Sequence, residues 1–358
     1  MTDDPAKPST LSLHCVNTAN LPQILQKLGI SLVVTTYQAG KVILVRADGD
    51  TLNAHFRQFA RPMGLDVNLT RMAIGTKNAI VELYNMPAVG QKLEPLGKHD
   101  ACYIPRNVHF TGDIDIHELA WAGDQLWLVN TAFSCLCTLD PAYSFSPQWR
   151  PPFISSLSPS DRCHLNGLAI VADQPRYVTA LGTQDTAQGW RETKASGGII
   201  MDIQTNEILA PGLSMPHSPR WYRDRLWFLE SGRGSLATLD PNSGQVTTVA
   251  EFPGFTRGLS FWGEFAFVGL SQVRESAIFG GLPLTERLTE RTCGVWVVHW
   301  PTGETVAFLR FESGVEEVFA VGVMSQIQFP EILELEEDRI SSSFALPDEA
   351  LKDVAQLG

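Results

Sequence analysis

The chain has 358 residues, 44% of them hydrophobic, with 29 Gly, 22 Pro and 9 Trp, a turn-rich and aromatic composition that excludes an extended disordered protein. Its formal net charge of −12 excludes a general nucleic-acid binder, because that class needs a basic face to neutralise phosphates. No apolar run reaches the roughly 18 residues of a membrane span, so neither nucleic acid nor membrane is expected as a partner.

Taken in chain order, residues 1–25 read as an N-terminal extension. Its start, MTDDPAKPSTLSLHCVN, carries neither the basic region nor the apolar stretch of a secretory signal, which points to a cytoplasmic location. The strands LVVTTYQ, KVILVRA and TLNAHFRQF follow, and then a motif recurs: MGLDVNLTRMAIGT from Met63, HELAWAGDQLWLVN from His117, NGLAIVADQPRYVTALG from Asn166, HSPRWYRDRLWFLE from His217, RGLSFWGEFAFVGLS from Arg257 and EEVFAVGV from Glu316. The His117 and His217 copies match over 25 residues without a gap, ten of them identical, and both end in Thr-Leu-Asp-Pro. Successive starts lie 54, 49, 51, 40 and 59 residues apart. A period near 50 built of short β-rich runs and Gly/Asp/Asn turns marks a radial repeat, each unit a four-stranded blade. The fold class is therefore all-β: a single propeller over residues 26–328, six-bladed with seven as the alternative. The N-terminal strands lack an inner strand and EEVFAVGV lacks partners, so the two chain ends are expected to pair and close the ring. Residues 329–358 are acidic and read as a C-terminal tail or short surface helix.

Inner strands of a propeller begin around one mouth of the axial channel, which places Met63, His117, Asn166, His217, Arg257 and Glu316 or Glu317 on one rim. His164 joins them, since two residues is one strand period. Three imidazoles on one rim are the expected ligands of a divalent transition metal (Zn, Fe or Cu), with Asn166 as a further ligand and the rings within about 5 Å of a common point, as bonds of about 2.0–2.2 Å require. Glu118, Glu230 and Glu316 are the candidate bases; Arg220 and Arg257, with Asn130, are the candidates for holding an anionic substrate. His14, His55, His99, His109 and His299 fall outside the register. The expanded loops from Gly182 and from Ser271 are expected on the histidine face, because each joins a second strand to a third. The six cysteines read as reduced strand residues, with a disulfide or soft-metal site at Cys135/Cys137 as the alternative.

The segment His164-Leu-Asn-Gly-Leu-Ala169 resembles the NGLA segment of gluconolactonase-type six-bladed propellers, and that resemblance implies a cation-holding role for Asn166. The histidine rim is similar in geometry to the zinc-holding propeller of peptide-amidating lyases and the histidine-held iron of carotenoid-cleaving propellers. Through TYQAGKVILV, TGDIDIHELAW, LWLVNTAFSCL, CHLNGLA, MPHSPRWY and FPGFTRGLSF the chain also resembles a bacterial family of conserved hypothetical proteins. The expected function is a metal-dependent enzyme (lyase, hydrolase or oxygenase) acting on a small or peptidic anionic substrate. The alternative is a non-enzymatic module that binds a protein or peptide.

Overall fold

The computed structural model describes residues 13–272, 280–335 and 338–352. It contains six small sheets, antiparallel but for one added strand, arranged as the blades of a β-propeller. Blade 1 runs from the inner strand Ala320–Ser325 outward through Ile30–Thr36, Lys41–Asp48 and Thr51–Gln58. Blade 2 runs through Leu65–Val67, Arg71–Gly75, Ala79–Asn85 and Ala101–Phe110. The inner strands of blades 3 to 6 are Ile116–Ala122, Leu165–Val171, Pro216–Tyr222 and Phe255–Trp262.

The expected closure is present: Ile30 to Thr35 pair antiparallel with Ser325 to Ala320. Six blades, not seven, complete the ring. Both chain ends reach further than the sequence indicates. His14–Asn17 adds a fifth strand to the outer edge of blade 6, pairing with Glu304–Ser313, and the helix Leu21–Leu28 then carries the chain into blade 1. At the other end, Pro330–Ile332 adds in parallel to Ala101–Phe110 of blade 2. The chain thus continues past Phe329 as buried strand where a tail was expected.

That strand is three residues long and lies in an acidic stretch, so no hydrophobic period announces it. Its middle residue, Glu331, is accommodated by local pairing. Burial pushes the carboxyl up, but His55 and Arg57 outweigh it and hold its pKa down at about 2. Two four-residue helices, Asp338–Ser341 and Asp348–Leu351, follow.

The core is a ring of layers between blades. Trp227, Leu229 and Leu236 of blade 5 pack on Leu259, Val268 and Trp296 of blade 6; Val129 and Leu136 of blade 3 pack on Leu168, Val178 and Ile199 of blade 4. These are the Leu, Val and Trp positions of the repeat, and their burial in water-free layers is the main source of the disc's stability. All six cysteines are free thiols.

Candidate functional site

The strand starts of blades 3 to 6, together with the segments flanking blade 1, surround a cavity of about 430 Å³. Its wall includes His117, His164, His217, Asp115, Asp161 and Arg257. Apolar surface comes from Tyr37, Trp190, Met215, Phe255 and Phe319. Residues from five blades meet there, so the cavity sits over the axis. Trp190 belongs to the short turn Gly189–Glu192 of the first expanded loop, and it packs with Leu282 and Leu284 of the second. Both loops therefore reach the histidine face; residues 273–279 of the second lie outside the described residues.

A backbone device recurs at this rim. Arg61, Asp115, His164 and Met215 each stand two positions before an aligned strand start, and all are left-handed, with φ of 53, 54, 51 and 50°. In blades 3 and 5 the carbonyl of the left-handed residue faces the side chain two positions on. In blade 3, His117 Nδ1 donates to the Asp115 carbonyl at 3.1 Å. In blade 5, His217 Nδ1 donates to the Met215 carbonyl at 3.0 Å, with Ser231 Oγ at 2.9 Å. His164 occupies the left-handed position itself, and its Nδ1 donates to Asp161 Oδ1 at 2.8 Å. The acceptors place the proton on Nδ1 in all three rings, which leaves Nε2 with the lone pair. His117 and His217 are 8% and 3% exposed. Burial, then the nearby Arg257 and His164, hold both well below the usual imidazole range, so they are neutral at pH 7.

Asp161 uses both oxygens inside the site, accepting from His164 and from Trp190 Nε1 at 2.9 Å. His164 packs at a tilt against Trp190 and meets His117 edge to face, with ring centroids 4.5 and 4.6 Å apart. Arg257 lies over the Phe319 ring, its Cζ 3.5 Å from the centroid. Its nearest carboxylate oxygen is Glu317 Oε1 at 3.8 Å, and its buried Nη2 has no hydrogen-bond partner. The next residue, Gly258, makes this seat possible: its φ is +83°, and a Cβ there would stand 2.7 Å from the Val321 nitrogen of blade 1.

The remaining residues expected from the sequence lie elsewhere. Glu118 pairs with Arg220, whose Nη1 and Nη2 donate to its two oxygens at 3.0 and 3.1 Å. Glu230 accepts from the Ser214 amide and from Arg233 Nε. Asn130 accepts from the Phe133 amide, and Asn166 accepts from Thr179 Oγ1 at 2.6 Å. Glu317, not Glu316, lines the cavity; the Glu316 carbonyl accepts from the Gln272 amide. Asp115, Asp161, Trp190 and Phe319 escape sequence reasoning. For Asp115 a signal exists, since it stands at the same offset before His117 as His164 does before Asn166.

The fit to a metal is divided. Three imidazoles with Nδ1 engaged and Nε2 open are the donor chemistry of a transition-metal site. Among the described residues, however, no three His, Cys, Asp or Glu side chains are gathered closely enough to hold one ion.

The family model described as Domain of unknown function (DUF4915) matches residues 19–333. The chain belongs to this family. The matched span begins just after the strand His14–Asn17 and ends just after the added strand of blade 2. No curated protein matches the sequence. Among solved structures, a nidogen/laminin complex is similar at 10% identity, covering 82% of this chain and 98% of that one, with a TM-score of 0.52. A catalytically inactive virginiamycin B lyase from Staphylococcus aureus with quinupristin is similar at 12% identity, covering 84% and 99%, with a TM-score of 0.42. The first of these likenesses bears out the propeller fold of the DUF4915 chain. No helix among its described residues is long and apolar enough to cross a membrane.

Proposed function

We propose that the cavity is the active site of an enzyme that transfers protons on a small anionic substrate, in lyase- or hydrolase-type chemistry. One observation carries this reading: three consecutive blades each deliver a histidine to one cavity with Nδ1 engaged by an acceptor, and two of the three are held neutral. Arg257 supports the anionic substrate, because a largely buried guanidinium with open donors attracts a carboxylate or phosphoryl oxygen. His117 or His217 accepts a proton at Nε2, and neutral imidazole is the form a base needs. His164 takes up a proton at Nε2 and returns it to the substrate, and Asp161, bonded to its Nδ1, balances the charge of the imidazolium formed in between.

The second reading adds a transition metal, Zn, Fe or Cu, at the same three histidines. The shared Nδ1 engagement favours it, and it requires the rings to gather more tightly than they stand. Metal analysis of the tag-free protein separates the two: stoichiometric metal favours the second reading, and less than a tenth of an equivalent favours the first. A turnover screen of small carboxylates and phosphate esters then tests the enzyme itself. His117→Gln and His217→Gln should each lower kcat/KM by about 10²-fold or more, the usual scale of general acid–base catalysis, with an unchanged melting temperature. Ligand binding without turnover by the parent protein would return the alternative of a binding module for a protein or peptide.

A further inference from the structure

An anion alone does not complete this cavity. Its wall holds Asp115, Asp161 and Glu317 beside Arg257. Asp161 has both oxygens engaged, and Glu317 stands against Arg257. Asp115 differs: among the described residues its carboxylate accepts no hydrogen bond. Its nearest ring nitrogen, His117 Nδ1 at 3.6 Å, spends its proton on the Asp115 carbonyl. Beside the exposed Arg191, the cavity therefore contains one largely buried cation and one carboxylate that are both underpaired. Burial penalises the Arg257 guanidinium in its charged form. A ligand bringing only an anion would meet Asp115 and Glu317, and one bringing only a cation would meet Arg257.

We propose that the ligand is a small zwitterion with an apolar body, its carboxylate received by Arg257 and its ammonium by Asp115. The inference rests on the reading of Arg257 as the anion anchor and adds the second charge. The body is apolar because Tyr37, Trp190, Phe255, Phe319 and Met215 supply the rest of the wall. The cavity, at about 430 Å³, falls toward the small end of ligand sites, which span roughly 300–1,000 Å³. An amino acid with an aromatic side chain, or a short peptide of such residues, meets all three demands.

The test titrates the tag-free protein calorimetrically with L-phenylalanine, 3-phenylpropionate and phenethylamine, which share one body and differ only in charge. Phenylalanine should bind at least tenfold more tightly than either of the others. Asp115→Asn, checked for folding by circular dichroism, should erase that preference while leaving phenylpropionate affinity equal or improved. Equal affinity of the parent for phenylalanine and phenylpropionate, or a preference that survives in Asp115→Asn, overturns the zwitterion. If phenylpropionate binding is also lost in Arg257→Gln, the anion anchor stands and only the second charge falls. If phenylpropionate binds Arg257→Gln as it binds the parent, or no probe binds the parent, both readings fall.

Discussion

The two ends of the axial channel present the same residue types in opposite states. Three positions beyond His217, Arg220 of blade 5 reaches past the inner strand of blade 4 to Glu118 of blade 3, next to His117. Its Nε donates to the Leu259 carbonyl, and Asp66 of blade 2 stands close enough to add to its field. Two further cavities there, of about 210 and 70 Å³, both contain Asp66 and Arg220. At the histidine end, Arg257 makes no bidentate pair and leaves Nη2 open. One arginine ties the inner strands of blades 3 and 5 together; the other is left for a ligand. Charge at a rim position is thus no guide to function until its partners are known.

Breaking the tie should have the largest effect. Glu118→Ala leaves Arg220 without its carboxylate in a buried setting, where loss of one partner costs on the order of 3 kcal/mol, so the melting temperature should fall by several degrees. Unchanged stability would mean that the pair does not bind the blades. Arg257→Gln should behave in the reverse manner. It should keep or raise the melting temperature, because it removes a largely buried charge that no close carboxylate pair neutralises, and weaken anion binding at least tenfold, about 1.4 kcal/mol.

The smallest effect concerns Asp66, whose pKa burial raises to about 6 even though the Trp121 amide and Arg220 oppose the rise. A carboxyl with a raised folded pKa binds its proton more tightly in the folded chain, so stability is lost as pH rises from the unfolded value near 4 through about 6. Melting curves of the parent and Asp66→Asn should therefore diverge in that window, with the parent falling relative to the variant as pH rises. Parallel curves would show that Asp66 is solvated.

Sequence periodicity carried the propeller, the closure and the rim, because blade packing depends on short-range hydrophobic patterns that repeat. It placed His117, His164, His217 and Arg257 on one wall, since strand starts are fixed by the register. It did not separate Arg220 from Arg257, because Glu118 and Arg220 are 102 residues apart and meet only once blades 3 and 5 stand on either side of blade 4. Nor did it find Trp190 or Phe319, which enter the site from a loop and from the closing segment, outside any repeat. Pro330–Ile332 was hidden by brevity and by Glu331, a charge that is accommodated because His55, Arg57 and Arg46 surround it.

The contrast between the two ends can be tested in one calorimetric series with 3-phenylpropionate on the parent, Arg257→Gln and Glu118→Gln. If the histidine-lined end is the ligand site and the far end a tie, Arg257→Gln lowers affinity at least tenfold and Glu118→Gln leaves it within twofold. Binding that depends on Glu118 and not on Arg257 would contradict the account.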